Sequence, residues 1–236
     1  MQLRMIMLTA LAVGMFSLAG GPATGQEKKE LKPEEVSKIK KALGEVQDFV
    51  GLWNLEVTQK EDGKVVAWKE KLSWGWNFKG EPSLTADFNE GKGKLFTSGV
   101  LRYDLTKKKY QLVLKTANKT EEVYEGVVPP TGGLKLERKD AKTGDAYRVA
   151  LGTLADGIRF QVKFEKQDGG KGLFNNVFAM NGNKDGESFA GGAKKPECIV
   201  SGGAANMSVS YNGKTYFVCC TGCRDEFNAN PKKYAK

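Results

Sequence analysis

Apolar residues change their spacing several times along this chain. Met5 to Ala19 is almost continuously apolar. Between Pro33 and Val46, the residues Val36, Ile39, Leu43 and Val46 recur at three- and four-residue steps, which predicts an amphipathic helix. Pro33 suits its first position, and Glu34 and Glu35 suit its positive N-terminal end. From Phe49 to about Ala190 helical spacing disappears and short β-type runs replace it. The runs are Leu55–Val57, Val65–Trp68, Leu72–Trp76, Leu84–Phe88, Leu95–Tyr103, Tyr110–Leu114, Glu122–Val127, Leu134–Glu137, Tyr147–Leu151, Ile158–Phe164 and Leu173–Met180. Turn signals separate many of them, among them Asp62-Gly63, Asn89-Glu90-Gly91, Lys142-Thr143-Gly144 and Asp156-Gly157. Successive short strands joined by tight turns predict an antiparallel meander that closes into a barrel.

The apolar N-terminal run has the marks of an export signal. Arg4 gives a positive start, and Ala23-Thr24-Gly25 has the small-x-small pattern of a cleavage site. The expected division is a signal peptide over 1–25 and a polar leader with the helix over 26–48. An uncleaved anchor is the alternative. No later segment approaches about 20 apolar residues, so no membrane insertion is expected after cleavage. No cysteine follows the run to carry a lipid. The expected location is periplasmic or secreted.

The chain's 236 residues suffice for one medium domain and a small one. Its net charge of +9 comes largely from lysines in turns, such as Lys107-Lys108-Lys109, and in the tail. Scattered turn lysines, sparse arginine and no recognition-helix pattern argue against a nucleic-acid partner. Histidine is absent. Ser-His-Asp and Cys-His catalytic devices and imidazole-based metal sites are therefore excluded. Glu70, Asp87, Arg102 and Arg148 have no spacing that marks a catalytic pair, and no enzyme activity is expected.

All four cysteines, Cys198, Cys219, Cys220 and Cys223, lie in the last 39 residues. Cysteines confined to one segment point to a site. The barrel is expected over 49–190, a flexible linker over 191–195 and a cysteine module over 196–236. Asn212-Gly213 is the preferred dipeptide of a two-residue turn, so Val209–Tyr211 and Thr215–Val218 are expected to pair as a hairpin. The second strand then delivers Cys219 and Cys220 to a tight turn at Thr221-Gly222, with a short helix after Cys223 ending before Pro231. Turn amides and the positive helix end favour thiolates. Cys198 can return across the hairpin as a third sulfur, while Tyr211, Tyr216, Phe227 and Tyr234 supply a small aromatic core.

A module of about forty residues needs a metal or a disulfide for stability. Thiolates without imidazole favour Cu(I), Zn(II), Cd(II) or Hg(II). Met207 offers a thioether but equally fills space. Two disulfides are the rival, with Cys198 joined to one of Cys219 and Cys220, and Cys223 to the other. A redox-active Cys220-Thr-Gly-Cys223 has the spacing but lacks the βαβ setting.

Cys198, Tyr211-Asn-Gly-Lys-Thr-Tyr216, Cys219, Cys223, Phe227 and Asn230-Pro-Lys-Lys-Tyr234 occur in that order. This stretch resembles the TRASH/YHS-type heavy-metal-binding domain, a treble-clef-like ββα finger. The resemblance implies a metal held by Cys198, Cys219 and Cys223. Cys220 is additional to that core, as a fourth sulfur or a free thiol. Gly51-Leu52-Trp53, after a short helix, resembles the Gly-x-Trp signature of lipocalin-like (calycin-type) barrels. That resemblance implies a Trp closing the floor beneath a cavity. Trp74 and Trp76 share a strand face. Trp53, Trp74 and Trp76 therefore form a candidate ligand pocket or fill a barrel interior that needs large side chains. The expected function is an exported, non-enzymatic binder of Zn(II) or Cu(I). The alternative is a lipocalin-like carrier of a small apolar ligand with a disulfide-stapled C-terminal module.

Overall fold

The computed structural model describes residues 31–186 and 195–235. The expected signal peptide (1–25), the leader to residue 30, the barrel's end at 190 and linker residues 191–194 lie outside the described residues.

The first element, α1 (Pro33–Gly44), opens with Glu35 reaching back to its cap, where Lys32 N–H donates to Glu35 Oε2 at 2.8 Å. It ends at Gly44, two residues before the expected end at Val46. Glycine ends a helix at little cost, and a 3₁₀ turn at Gln47–Phe49 follows. Ile39, Leu43, Val46 and Phe49 are nevertheless all buried.

Ten strands follow: β1 (Gly51–Glu61), β2 (Lys64–Asn77), β3 (Ser83–Phe88), β4 (Phe96–Asp104), β5 (Lys109–Thr116), β6 (Glu121–Val127), β7 (Leu134–Lys139), β8 (Ala146–Leu154), β9 (Arg159–Gln167) and β10 (Asn175–Lys184). Each pairs antiparallel with the next, and β10 closes on β1, with Val57 opposite Met180. The chain is mainly β, and the expected closed antiparallel barrel is present. Two expected runs, Val65–Trp68 and Leu72–Trp76, are one long strand, β2. Lys69-Glu70-Lys71 contains no turn residue, so the polar triplet continues the strand instead of breaking it.

Side-chain alternation fills the barrel. Along β1, Trp53, Leu55 and Val57 are buried while Leu52, Asn54 and Glu56 are exposed. Leu72, Trp74 and Trp76 on β2, and Phe160, Val162 and Phe164 on β9, follow the same rule. At the end nearest α1, Trp53 stacks on Phe160 at 5.1 Å and donates its indole N–H to Phe49 O at 2.8 Å. Lys184 Nζ lies 5.1 Å from the Trp53 ring. Gly51 holds φ +144, and a Cβ there would meet the Lys184 side chain. At the other end Phe96, Phe164 and Phe178 stack, the last two at 4.2 Å.

Beyond the barrel lie β11 (Met207–Tyr211), β12 (Lys214–Val218), α2 (Thr221–Ala229) and the short α3 (Pro231–Tyr234). β11 and β12 form the expected hairpin, with Asn212 and Gly213 at φ 49 and 74. α2 starts at Thr221, earlier than the expected start after Cys223. Cys220 is extended and its carbonyl accepts the Arg224 N–H at 3.0 Å, which makes Thr221-Gly222 the first helical turn.

Candidate metal centre

Three segments bring sulfur to one place. Cys198 sits in a knuckle closed by two hydrogen bonds, its N–H donating to Gly203 O at 2.7 Å and its carbonyl accepting the Gly202 N–H at 2.8 Å. Gly202 lies at φ 78, as such a knuckle requires. Ile199 N–H donates to Phe217 O at 2.9 Å and ties the knuckle to β12. Cys219 leaves the end of β12, and Cys223 lies in the first turn of α2, near its positive end. Phe227 holds helix to hairpin, its ring 5.2 Å from Tyr216 and 6.4 Å from both Tyr211 and Tyr234.

The Sγ atoms of Cys198, Cys219 and Cys223 lie within 4.8 Å of one another. Cys219 and Cys223 approach to 3.5 Å, and Ser201 Oγ is hydrogen-bonded to Cys219 Sγ at 3.3 Å. All three are buried, at 2, 5 and 0 % exposure. All four cysteines are free thiols. Hydrogen bonds from Cys219, then Cys223 and Ser201, hold the Cys198 thiol far below its ordinary pKa. Cys219 and Cys223 are pushed up, chiefly by their bonds to Cys198 and also by burial. The four thiols are thus linked by hydrogen bonds, so that losing a proton from one is eased by its neighbours. Sulfur is the right donor for a soft or borderline metal ion, and three converging thiols fit one. When bound, such an ion would supply the cross-link that a core this small cannot provide by burial.

Cys220 adjoins this group on its barrel side. It is buried and its Sγ accepts the backbone N–H of Trp76, on barrel strand β2, at 3.4 Å. Its thiol is pulled down to about 3 by hydrogen bonds from Cys219, then Cys223, with the Trp76 amide contributing. Among the described residues, the metal-ligating group contains Cys198, Cys219 and Cys223 but not Cys220. Met207 opens β11, half-buried against the core.

Trp53, Trp74 and Trp76 are all buried at the α1 end of the barrel, with Trp74 6.3 Å from Phe49. Neither the Trp74 nor the Trp76 indole N–H has a partner among the described residues. A cavity of about 350 Å³ opens at the opposite end, lined by Phe96, Tyr124, Phe164 and Phe178. A second, of about 310 Å³, separates Trp76 and Phe78 from Asp225 and Glu226 of α2. Sequence reasoning missed Ser201 and the Trp76 amide, the one an ordinary serine and the other a backbone group with no residue-type signature. Glu70 is buried, accepting the Trp68 indole N–H at 2.7 Å and the Lys94 N–H at 3.1 Å.

A knuckle, a hairpin and a helix converging three buried sulfurs have the geometry of a small cysteine-based metal-binding finger. Residues 200–236 match the YHS domain family. The matched span begins just after Cys198, and the fold brings that first sulfur back to the other two. No curated protein matches this chain.

Proposed function

We propose that this protein is an exported, non-enzymatic metal binder that acts in sensing, carriage or resistance of a soft or borderline ion. Cys198, Cys219 and Cys223 hold the ion, and Cu(I) and Zn(II) are the leading candidates. The observation that carries this reading is the burial of three sulfur atoms within 4.8 Å of each other, two of them inside the segment that matches the YHS domain family. With no histidine in the chain, the ligands available to a soft ion are sulfur atoms and not imidazole. The apolar run from Met5 to Ala19 supports periplasmic or secreted placement. The aromatic cavity of about 350 Å³ favours a second reading, in which the barrel also carries a small apolar ligand.

Preparing the full chain anaerobically tests both. Thiol titration, metal analysis and solvent extraction are done on the same sample. The expected result is reduced cysteines and about one soft metal ion per chain, as one three-sulfur group requires. Fully oxidised cysteines with no metal bound would sink the leading reading, and a co-purified organic molecule would establish the carrier.

A further inference from the structure

Cys220 Sγ sits among donors. It accepts the Trp76 N–H of β2 at 3.4 Å and the Cys223 N–H in the first turn of α2. Side-chain hydrogen bonds with Cys219 and Cys223 reach the same atom. Cys198 is surrounded alike, by the side chains of Cys219, Cys223 and Ser201 and by the Ser201 N–H. Cys219 and Cys223, 3.5 Å apart, are thus each bonded to both of the other two sulfurs. All four cysteines are buried. Backbone N–H groups on a sulfur favour its thiolate, and they stay in place when a cation replaces the S–H protons. A thiol that only docked one element on another would need the Trp76 contact and none of the rest.

The backbone around Cys220 serves the same end. Cys220 is extended at the N-cap of α2 and Cys223 lies in its first turn, so the pair has the Cys-x-x-Cys spacing of closed thiolate sites. β1 begins at Gly51, opposite Trp74, so Trp76 presents its N–H and C=O at a free edge of β2. Gly222 lies against that carbonyl, where an added Cβ would collide with Trp76 O. Gly75 leaves room for the sulfur, its own added Cβ lying 3.9 Å from Cys220 Sγ.

We propose that Cys220 is the fourth ligand of the metal centre, with the Trp76 N–H of the barrel as an outer-shell donor to its sulfur. The proposal rests on the metal-binding reading above. Thiolates about 2.3 Å from a zinc ion stand about 3.8 Å apart at the corners of a tetrahedron. Cys219 and Cys223 are already near that spacing, and Cys198 completes a three-sulfur face with them. The open corner needs one more donor, and Cys220 is bonded to two of the three. No imidazole exists in the chain to take that corner. On loading, the thiol protons among the four sulfurs pass to solvent. The Trp76 and Cys223 N–H groups go on offsetting the negative charge at Cys220.

The test uses the reduced, full-length chain under anaerobic conditions, loaded with Zn(II) alone and, separately, with Cu(I) alone. X-ray absorption counts the sulfur neighbours of zinc, and chelator competition measures affinity. The expected wild-type result is one Zn(II) per chain with four sulfur neighbours. Cys220→Ser should lower the count to three and weaken Zn(II) binding at least about tenfold, no less than the loss of an outer-shell partner costs. The serine hydroxyl can still accept the Trp76 N–H, so a docking role alone would leave count and affinity unchanged. Gly222→Ala, which pushes α2 from the Trp76 edge, should keep four sulfurs and weaken binding about tenfold. Three sulfurs in the wild type, or Cys220→Ser binding Zn(II) as tightly as wild type, would overturn the proposal and leave the metal-binding reading standing. Unchanged affinity in Gly222→Ala would overturn the part given to the Trp76 amide. Binding of Cu(I) but not Zn(II) would also overturn the fourth ligand, and failure of both ions to bind would take both readings down.

Discussion

Gly51 and Trp53 act as a pair. Gly51 takes a φ of +144 that side chains avoid, at the point where Lys184 crosses the chain start of β1. This turns the chain so that Trp53 enters the barrel two residues later, fully buried, stacked on Phe160 and hydrogen-bonded to Phe49 O. Trp53→Ala should therefore cost about 3–5 kcal/mol of barrel stability, the range for emptying a buried aromatic site. Urea unfolding followed by circular dichroism measures it, and a loss below about 1 kcal/mol would show that Trp53 is not a keystone. Metal stoichiometry should not change, because Trp53 is not among the ligands. The Gly-x-Trp pattern was readable because its meaning is local. Glu70 was not: a glutamate between two lysines reads as solvated, and its partner Lys94 comes from twenty-four residues away. The same applies to Cys220, whose neighbour Trp76 lies 144 positions back along the chain.

Elements were legible where turn chemistry punctuates them. Asp62-Gly63 ends β1, and Asn212-Gly213 makes the hairpin that sets the direction of β12. Where punctuation was missing, the divisions shifted, as in the joining of two runs into β2. The early start of α2 has another cause. Thr221-Gly222 reads as a turn, yet its residues adopt helical geometry because Cys220 can occupy the extended N-cap position. That shift places Cys223 in the first helical turn, with its sulfur 3.5 Å from that of Cys219. The hairpin gives this scale its own prediction. Gly213 has φ 74, so Gly213→Val should destabilise the turn by about 1–2 kcal/mol, the left-handed penalty for a side chain. If the hairpin positions Cys219 for the metal, this cost appears as roughly tenfold weaker binding, since 1.4 kcal/mol is tenfold in an equilibrium. Chelator competition reads it directly. Unchanged affinity would mean that the knuckle and α2 hold the sulfurs in place without the hairpin.

At the scale of the whole molecule, two kinds of stability meet at one seam. The barrel has a continuous apolar interior from Trp53 to Phe178 and needs no ligand to fold. The finger's own interior is little more than Phe227, Val218, Val209 and the buried cysteines, too little to stand without a cross-link. Lys40 of α1 lies 4.5 Å from the Phe78 ring beside the finger, and burial, followed by the charge of Lys233, lowers its pKa. The seam is therefore partly desolvated, and a finger with so small an interior of its own is expected to unfold apart from the barrel. Calorimetry of the metal-loaded chain should accordingly show two transitions. Removing the ion with a high-affinity chelator should lower only the finger's transition. The expected loss is about 2.7 kcal/mol when free metal had stood at a hundred times its dissociation constant, and about 4.1 kcal/mol at a thousand times, as binding to the folded state alone dictates. A barrel transition that moved by the same amount would mean that the Trp76 edge joins barrel and finger into one cooperative unit. The metal's energy would then reach the barrel floor through β2. An unmoved barrel would confine that energy to the finger.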